Sequence, residues 1–159
     1  MARKNKKSDE RYREIRNSKA YRDFFVDETL EAGLVLTGTE VKSIRAGGAQ
    51  ISESFVRIDK GAPVLYHANI PEYSFANFQN HNPYRPRKLL LNRREILKWE
   101  QEMKSGNRAI IPIKMYFKKG MVKVQLGLCR GKKEYDKRED LKEAVDRREM
   151  DRAMKAALR

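Results

Sequence analysis

The chain has 159 residues, of which 40% are hydrophobic, and this suits one domain with a modest core and appendages. Its 36 basic and 22 acidic residues give a formal net charge of +14, which makes nucleic acid the first candidate partner and an anionic membrane the second. Transmembrane and secreted classes are disfavoured, because no apolar run approaches roughly 18 to 20 residues and the basic start has no apolar segment behind it. The single cysteine, Cys129, cannot form an internal disulfide, so we expect a cytoplasmic protein.

Charge is distributed unevenly along the chain. Both ends are dense in charge and poor in apolar residues, whereas the middle carries the apolar pattern of a core. We therefore predict a basic N-terminal arm over 1–20, a globular RNA-binding body over 21–130 and a charged C-terminal tail over 131–159. For the arm, a solvated disordered segment and a phosphate-contacting segment are both open interpretations.

Secondary structure follows from apolar periodicity and from turn residues. The first predicted elements are β-rich runs from Phe24, with a bulge or corner at Gly33, and a short helix that is opened by 37–40 and stopped by Gly47-Gly48. A hairpin of 54–58 and 64–68, a loop over 71–87 and a strand at 89–91 follow. The last elements are a helix that is capped by Asn92 with Glu95 and ended by Gly106, and a hairpin of 109–117 and 121–129.

The last hairpin has the clearest pattern. In its second strand apolar residues alternate with polar ones from Val122 to Leu128, so one face is predicted to be buried. Pro112 predicts an edge or a bulge in the partner strand. Short strands with helices between them suggest a mainly β fold: a small antiparallel Greek-key barrel of the oligonucleotide-binding type with two to three added helices and a C-terminal tail.

Residues suited to catalysis are few. No acid lies within two residues of His67 or His81, so packing and hydrogen bonding are the expected roles of these two histidines. Cys129 has no Cys or His near it and is predicted to be a buried thiol. No metal-ligand spacing and no phosphate-binding loop occurs, so we predict neither an enzyme nor a cofactor or metal site.

Basic residues are clustered. Between Glu102 and Glu134 there is no acidic residue, and a second basic cluster surrounds the start of the helix capped by Asn92. A single basic run is usually a solubilising surface, but two such clusters favour a surface that contacts phosphates. Aromatic residues beside the second cluster suit base stacking or covering of the core equally well: Tyr73, Phe75, Phe78 and Tyr84.

Three segments resemble the signatures of the small protein B family, the SsrA-binding proteins. They occur in the family's order, and the similarity extends from about residue 19 over nearly all of the chain. The segments are Glu31-Ala32-Gly33-Leu34 with Gly38-Thr39-Glu40-Val41-Lys42-Ser43, then Arg87-Lys88-Leu89-Leu90-Leu91-Asn92, and last Gly127-Leu128-Cys129-Arg130-Gly131-Lys132-Lys133 with Tyr135-Asp136-Lys137-Arg138.

The resemblance implies a non-catalytic adaptor for trans-translation, the rescue of stalled ribosomes with tagging of the incomplete peptide. It implies that the body binds the tRNA-like domain of transfer-messenger RNA. The tail would enter the decoding centre and messenger channel of the small ribosomal subunit, disordered when free and helical when bound. No membrane and no small-molecule substrate is implied. A general basic RNA-binding or ribosome-associated barrel protein is the alternative.

Site residues follow from the same resemblance. Glu31, Leu90 and Asn92 match positions of the family's RNA-binding surface, although Asn92 also suits a plain helix cap and Leu90 a core position. The basic residues predicted to join them are Lys42, Arg45, Arg87, Lys88, Arg93, Lys123 and Arg130. The predicted ribosome-contacting residues of the tail are Gly131, Lys132, Lys133, Tyr135, Asp136, Lys137 and Arg138. Tyr135 stands where family members often carry His, and its ring can stack on a base.

Overall fold

The computed structural model describes residues 11–76 and 79–158; the first ten residues of the predicted arm, and Phe78 of the aromatic group, lie outside these ranges. The strands are β1 (Ile15–Arg16), β2 (Phe24–Leu34), β3 (Phe55–Asp59), β4 (Ala62–Tyr66), β5 (Arg87–Leu90), β6 (Arg108–Lys118) and β7 (Met121–Gly131). The helices are α1 (Ala20–Asp23), α2 (Gly38–Arg45), α3 (Arg93–Lys104) and α4 (Glu134–Ala157).

All pairings among these strands are antiparallel. The order β6-β3-β4-β5-β2-β7 returns to β6 through the β6–β7 hairpin, so six strands form a closed ring of pairings. The short β1 pairs with β6 through Ile15 and Met115. This confirms a mainly β, antiparallel fold with added helices. The sequence pattern does not predict α1, which is a single turn between β1 and β2.

Both predicted hairpins form, with tighter turns than expected. In the β3–β4 turn, Lys60 and Gly61 have φ of 49° and 76°, and in the β6–β7 turn Lys119 and Gly120 have φ of 52° and 76°. Two successive positive φ angles define the turn whose twist matches that of paired strands. In each hairpin the strands extend up to a two-residue turn, so the turns are shorter than the predicted segments 59–63 and 118–120.

Bulges occur at one predicted and one unpredicted position. The β6–β7 register shifts between Pro112 and Lys114, as proline in a paired strand indicates. The bulge of β2 lies between Val26 and Glu28, so of the two alternatives predicted for Gly33, a bulge or a corner, the bulge was wrong. Gly33 instead pairs with Leu90, whose Cβ lies 3.3 Å from where a Gly33 Cβ would stand. Close approach of β5 is therefore the reason for glycine there.

The core is enclosed by the ring of strands and by α2 and α3. Trp99 of α3 is 1% exposed, and the half-buried Met103 lies on the same core, so this face of the helix packs against the sheet. In β7 the apolar side chains Val122 to Leu128 face inward, as their alternation predicts. At Gly127 an added Cβ would stand 2.8 Å from Ile113 Cδ1, so the two strands need a glycine at this point.

Cys129 is a buried thiol, as predicted. It is fully buried against Ala20 and Ile111, and burial raises the pKa of its thiol to about 11. Because only the thiolate reacts, and a raised pKa keeps the group protonated below that pH, native protein at pH 8 is expected to alkylate at least about a hundredfold more slowly than protein in urea. Mass spectrometry of iodoacetamide-treated samples checks this; rapid native labelling would contradict the burial.

Candidate nucleic-acid interface

Glu31, Leu90 and Asn92 lie together, although some sixty residues separate the first from the other two. Gly33 of β2 pairs with Leu90 of β5, which places Glu31 beside the end of β5 where Asn92 begins α3. Together with Leu91 and Glu95 the three residues line a depression of about 240 Å³. The structure thus brings together the three positions that the resemblance assigns to RNA binding.

Asn92 also forms the helix cap expected of it. It shares a capping box with Glu95, whose carboxylate accepts a hydrogen bond from the Asn92 backbone N–H at 3.1 Å. Asn92 nevertheless remains exposed at the depression. The cap fixes its backbone, so its amide is presented from a rigid helix start.

Leu90 is not a core residue, because 56% of it is exposed. It separates the first depression from a second one of about 230 Å³, which has an apolar lining. The second depression is lined by Gly33, Leu34, Leu36, Val41, Leu90, Gly120, Met121, Val122 and Lys123. An exposed apolar residue between a polar and an apolar hollow, with a lysine at the rim, suits contact with unstacked bases and nearby phosphates.

Glu31 is one of two acidic residues at this depression, with Glu95. Its carboxylate accepts a hydrogen bond from the Tyr116 hydroxyl and another from Lys118 Nζ at 3.1 Å. These bonds, that from Tyr116 foremost, lower the pKa of Glu31, so it is ionised at neutral pH. An ionised carboxylate only accepts hydrogen bonds, which suits donors on base edges and 2′-hydroxyls. Sequence reasoning missed Tyr116; its signal was the outward alternation of Lys114, Tyr116 and Lys118 along β6.

Arg87 is buried, which corrects the prediction that it lies on the RNA-contacting surface. It is 0% exposed, and its guanidinium donates to the Glu40 carboxylate at 2.9 Å and to the Ala68 carbonyl at 2.8 Å. Arg85 donates to the same carboxylate at 2.8 Å. Burial by itself would raise the pKa of Glu40, but hydrogen bonds from Arg85, the Thr37 backbone N–H and Arg87 lower it to about 2. The structure therefore gives Arg87 an internal role, joining β5 to α2, in place of the surface contact predicted from its charge.

The remaining predicted basic residues of the body are exposed or partly exposed, and Lys123 lies near enough to Glu31 for its charge to help lower the pKa of that carboxyl. Lys42 lies 5.5 Å from the Tyr73 ring centroid, and Arg45 lies 5.8 Å from that of Tyr12. Lys88 and Arg93 are exposed beside Leu90 and Asn92.

Two of the aromatic residues beside the second basic cluster are strongly exposed. Phe75 is 80% exposed and Tyr84 is 61% exposed, whereas Tyr73 is half-buried and packs its ring 5.5 Å from that of Phe75. Because the rings of Phe75 and Tyr84 are exposed, they do not cover the core. For these two residues the base-stacking interpretation stays open.

Arg130 lies at the opposite end of β7 from Lys123, at the junction of body and tail. It donates to the Asp27 carboxylate at 2.9 Å, and its guanidinium lies 5.7 Å from the Phe25 ring centroid. The junction forms a hollow of about 710 Å³ whose lining includes Arg108, Lys133 and Asp136. Arg130 thus lies beside the start of the tail, away from the Glu31 depression.

The tail forms α4, and none of its side chains over 134–157 is buried. Tyr135 is 70% exposed and Arg138 is exposed, whereas Asp136 accepts from the Lys133 backbone N–H at 3.2 Å. The expectation that this segment is disordered in the free protein stays a prediction.

Lys132 differs from the other basic residues of the tail. Its side chain is only 8% exposed, and its ammonium donates to the Tyr21 carbonyl at 2.8 Å and to Asp140. The same ammonium lies 4.9 Å from the Phe25 ring centroid. Lys137 adds an ion pair with Asp23 at 3.5 Å. The start of the tail is therefore fastened to α1 and β2.

Neither histidine stands in a cluster suited to chemistry. His81 is buried, with one ring nitrogen 2.8 Å from Thr39 Oγ1 and the other 2.8 Å from the Ile70 carbonyl. His67 lies just beyond β4, with a φ of 61°, so its predicted place in a strand was wrong. Over residues 11–76 and 79–158 no group of three or more His, Cys, Asp or Glu is arranged to hold a metal ion. No helix in these ranges is long and apolar enough to cross a membrane.

Comparison with known proteins gives one consistent result. The model of the SmpB protein family matches residues 14–156. An SsrA-binding protein of Thermobifida fusca is 48% identical over 139 residues, covering 87% of each chain. One of Corynebacterium glutamicum is 46% identical over 155 residues, covering 97% of this chain and 94% of its own. A solved structure described as "tmRNA-SmpB: a journey to the center of the bacterial ribosome" is 42% identical, with a TM-score of 0.65, over 83% of this chain and 94% of that one.

Proposed function

Because this chain belongs to the SmpB protein family, we propose that it binds the tRNA-like domain of transfer-messenger RNA (tmRNA) and delivers it to stalled ribosomes for trans-translation. It acts as an adaptor and not as an enzyme, and its partners are tmRNA and the ribosome. The net charge of +14 supports a polyanionic partner.

One observation carries the proposal furthest: Glu31, Leu90 and Asn92 meet at a single depression. An ionised acceptor, an exposed apolar side chain and an exposed amide provide the contacts that irregular RNA offers, namely 2′-hydroxyls, base faces and base edges. A purely electrostatic RNA binder has no need for such a set. The arrangement supports recognition of a folded RNA over general binding of phosphates.

The finer architecture and the location of the protein belong to the same proposal. We take the closed ring of six strands as a barrel of the oligonucleotide-binding type, with RNA bound on the outer side near β2, β5 and the start of α3. The cytoplasm is the compartment in which the proposed partners occur. The exposed tail would be the part that enters the decoding centre and messenger channel.

A gel-shift competition between tmRNA and bulk tRNA at physiological salt tests the function. A nanomolar Kd with strong preference for tmRNA is expected, because non-specific binding to a polyanion reaches only about 10⁻⁴ to 10⁻⁶ M. Weak and equal binding to both RNAs, collapsing as salt rises, would instead identify a general basic RNA-binding or ribosome-associated protein.

Variants of the depression test the site. Glu31→Ala and Asn92→Ala are each expected to weaken tmRNA binding by roughly tenfold, because each removes hydrogen bonds to the RNA. The same gel shift measures the loss. Since alanine at a helix cap also costs about 1 kcal/mol of stability, Asn92→Ser serves as the matched variant that keeps the cap but lacks the amide. If Asn92→Ser binds as tightly as the unaltered protein, the amide makes no RNA contact.

A further inference from the structure

Tyr116 touches the Glu31 carboxylate from a neighbouring part of the sheet. It lies near the C-terminal end of β6, opposite Lys123 of β7, and β7 in turn pairs with β2 so that Glu31 lies opposite Gln125. The Tyr116 hydroxyl therefore reaches across β7 and donates its hydrogen bond to Glu31 Oε2. A contact that spans a whole strand is not required by the ladder of backbone hydrogen bonds.

The hydroxyl is held as a donor. Burial, followed by its hydrogen bond to Glu31, raises the pKa of Tyr116 above its usual range, so the phenol stays protonated. The ring is half-buried, and Lys114 Nζ lies 5.2 Å from its centroid. A ring packed in this way has little rotational freedom, so the position of its oxygen is set by the sheet.

The Glu31 carboxylate keeps acceptor capacity for a ligand. Its side chain is 37% exposed, and it opens on the depression that Leu90 and Asn92 line. Two oxygens offer about four acceptor positions, of which Tyr116 and Lys118 occupy only part. A glutamate on an outward strand face otherwise samples many rotamers, and ordering it on binding weakens affinity.

We propose that Tyr116 is a positioning residue that fixes the Glu31 carboxylate in the orientation that accepts hydrogen bonds from RNA. This rests on the proposed function, and it assigns to β6 a part in recognition that acts through Glu31. Removing the hydroxyl leaves the carboxylate with the hydrogen bond from the flexible, exposed Lys118 side chain and removes no charge. Affinity for tmRNA then falls because the ordering of Glu31 takes place during binding.

A double-mutant cycle with Tyr116→Phe and Glu31→Ala tests the inference. Tyr116→Phe is expected to weaken tmRNA binding about fivefold, with the slope of log Kd against log salt unchanged because no charge is lost. In the Glu31→Ala background, which has no side-chain acceptor, the same change should have almost no further effect, because the two residues act as one unit. Thermal unfolding of each variant shows whether the fold is kept.

Tyr66→Phe is the matched control. The Tyr66 hydroxyl donates to the Asp59 carboxylate at 2.5 Å across the β3–β4 hairpin, so this variant loses a similar hydrogen bond elsewhere on the sheet. Its affinity for tmRNA should stay within about twofold. A fivefold loss in this control as well would attribute the effect to a general weakening of the sheet and overturn the inference.

Three further results would overturn it. Unchanged affinity of Tyr116→Phe removes the residue from recognition. Additive losses in the cycle mean that the hydroxyl acts independently of Glu31. Unchanged affinity of Glu31→Ala leaves Tyr116 nothing to position. Failure of the proposed function looks different, because the unaltered protein would then show no preference for tmRNA over bulk tRNA.

Discussion

A chain truncated before Gly131 is expected to keep nearly full affinity for tmRNA and to lose ribosome rescue altogether. None of the residues that line the Glu31 depression belongs to the tail, and none of the side chains of α4 over 134–157 is buried in the body. The removed segment carries ten basic and eight acidic residues, so most of the net charge of +14 stays with the body. The RNA site should therefore survive the truncation.

Two assays separate these functions. Gel shift measures tmRNA affinity, and a reconstituted translation reaction on a message without a stop codon measures addition of the tag peptide. Tyr135→Ala is the matched point variant, because Tyr135 is 70% exposed and its loss leaves the body untouched. It should reduce tagging partially, and full tagging would remove Tyr135 from the decoding role. A truncated chain that binds free tmRNA more than about tenfold more weakly would contradict the division into body and tail.

Glu40→Gln is expected to cost about 3 to 5 kcal/mol of the free energy of unfolding. Glu40 and Arg87 are both 0% exposed and are joined at 2.9 Å, so the variant leaves the Arg87 guanidinium as a buried charge with Arg85 nearby. In the unaltered protein the Thr37 backbone N–H donates a hydrogen bond to the Glu40 side chain at 2.9 Å. A glutamine oxygen can accept the same hydrogen bond, so the helix cap is kept and only the loss of charge is tested. Urea unfolding followed by fluorescence of Trp99 measures the difference.

Glu28→Gln is the control for an exposed ion pair. Glu28 accepts from Lys98 at 2.9 Å on the surface, where such pairs contribute less than about 1 kcal/mol. If Glu40→Gln and Glu28→Gln lose the same free energy of unfolding, the buried Glu40–Arg87 pair contributes no more to stability than an exposed ion pair.

Lowering the pH should reduce the difference in unfolding free energy between the unaltered protein and Glu40→Gln. The pKa of Glu40 is about 2 in the folded protein, below that of about 4.3 expected for an unfolded chain. A depressed folded pKa contributes stability above the unfolded pKa, and this contribution is lost as pH falls towards the folded pKa. The difference between the unaltered protein and Glu40→Gln should therefore be constant near pH 6 and shrink between about pH 5 and 2. A difference that does not change with pH would contradict the charged state of Glu40.

Local features of the fold were predictable from the sequence because neighbouring residues set them. Asn92 with Glu95 and Thr37 with Glu40 form capping boxes, and each needs only residues three apart. The alternation in β7 identified its buried face for the same reason, since successive side chains of a strand point to opposite faces.

The site was predictable only through the resemblance to a family. Composition and charge indicated a polyanion partner, but nothing in the spacing of Glu31, Leu90 and Asn92 shows that β2 pairs with β5. Conversely, the basic segment around Arg87 predicted a surface contact, yet its partner Glu40 lies 47 residues away in sequence and draws the guanidinium inside. A buried arginine is stable only when such a partner meets it, and a linear pattern does not contain that information.

Residue order was thus enough to predict a polyanionic partner, the hairpins, the helix caps and a buried thiol. The pairing of distant strands established the rest: it placed Glu31 beside Asn92, joined Tyr116 to Glu31 across β7 and buried Arg87. The physical reason is that periodicity and capping depend on neighbours a few residues apart, whereas a binding surface depends on long-range strand register, which the packing of the whole core selects.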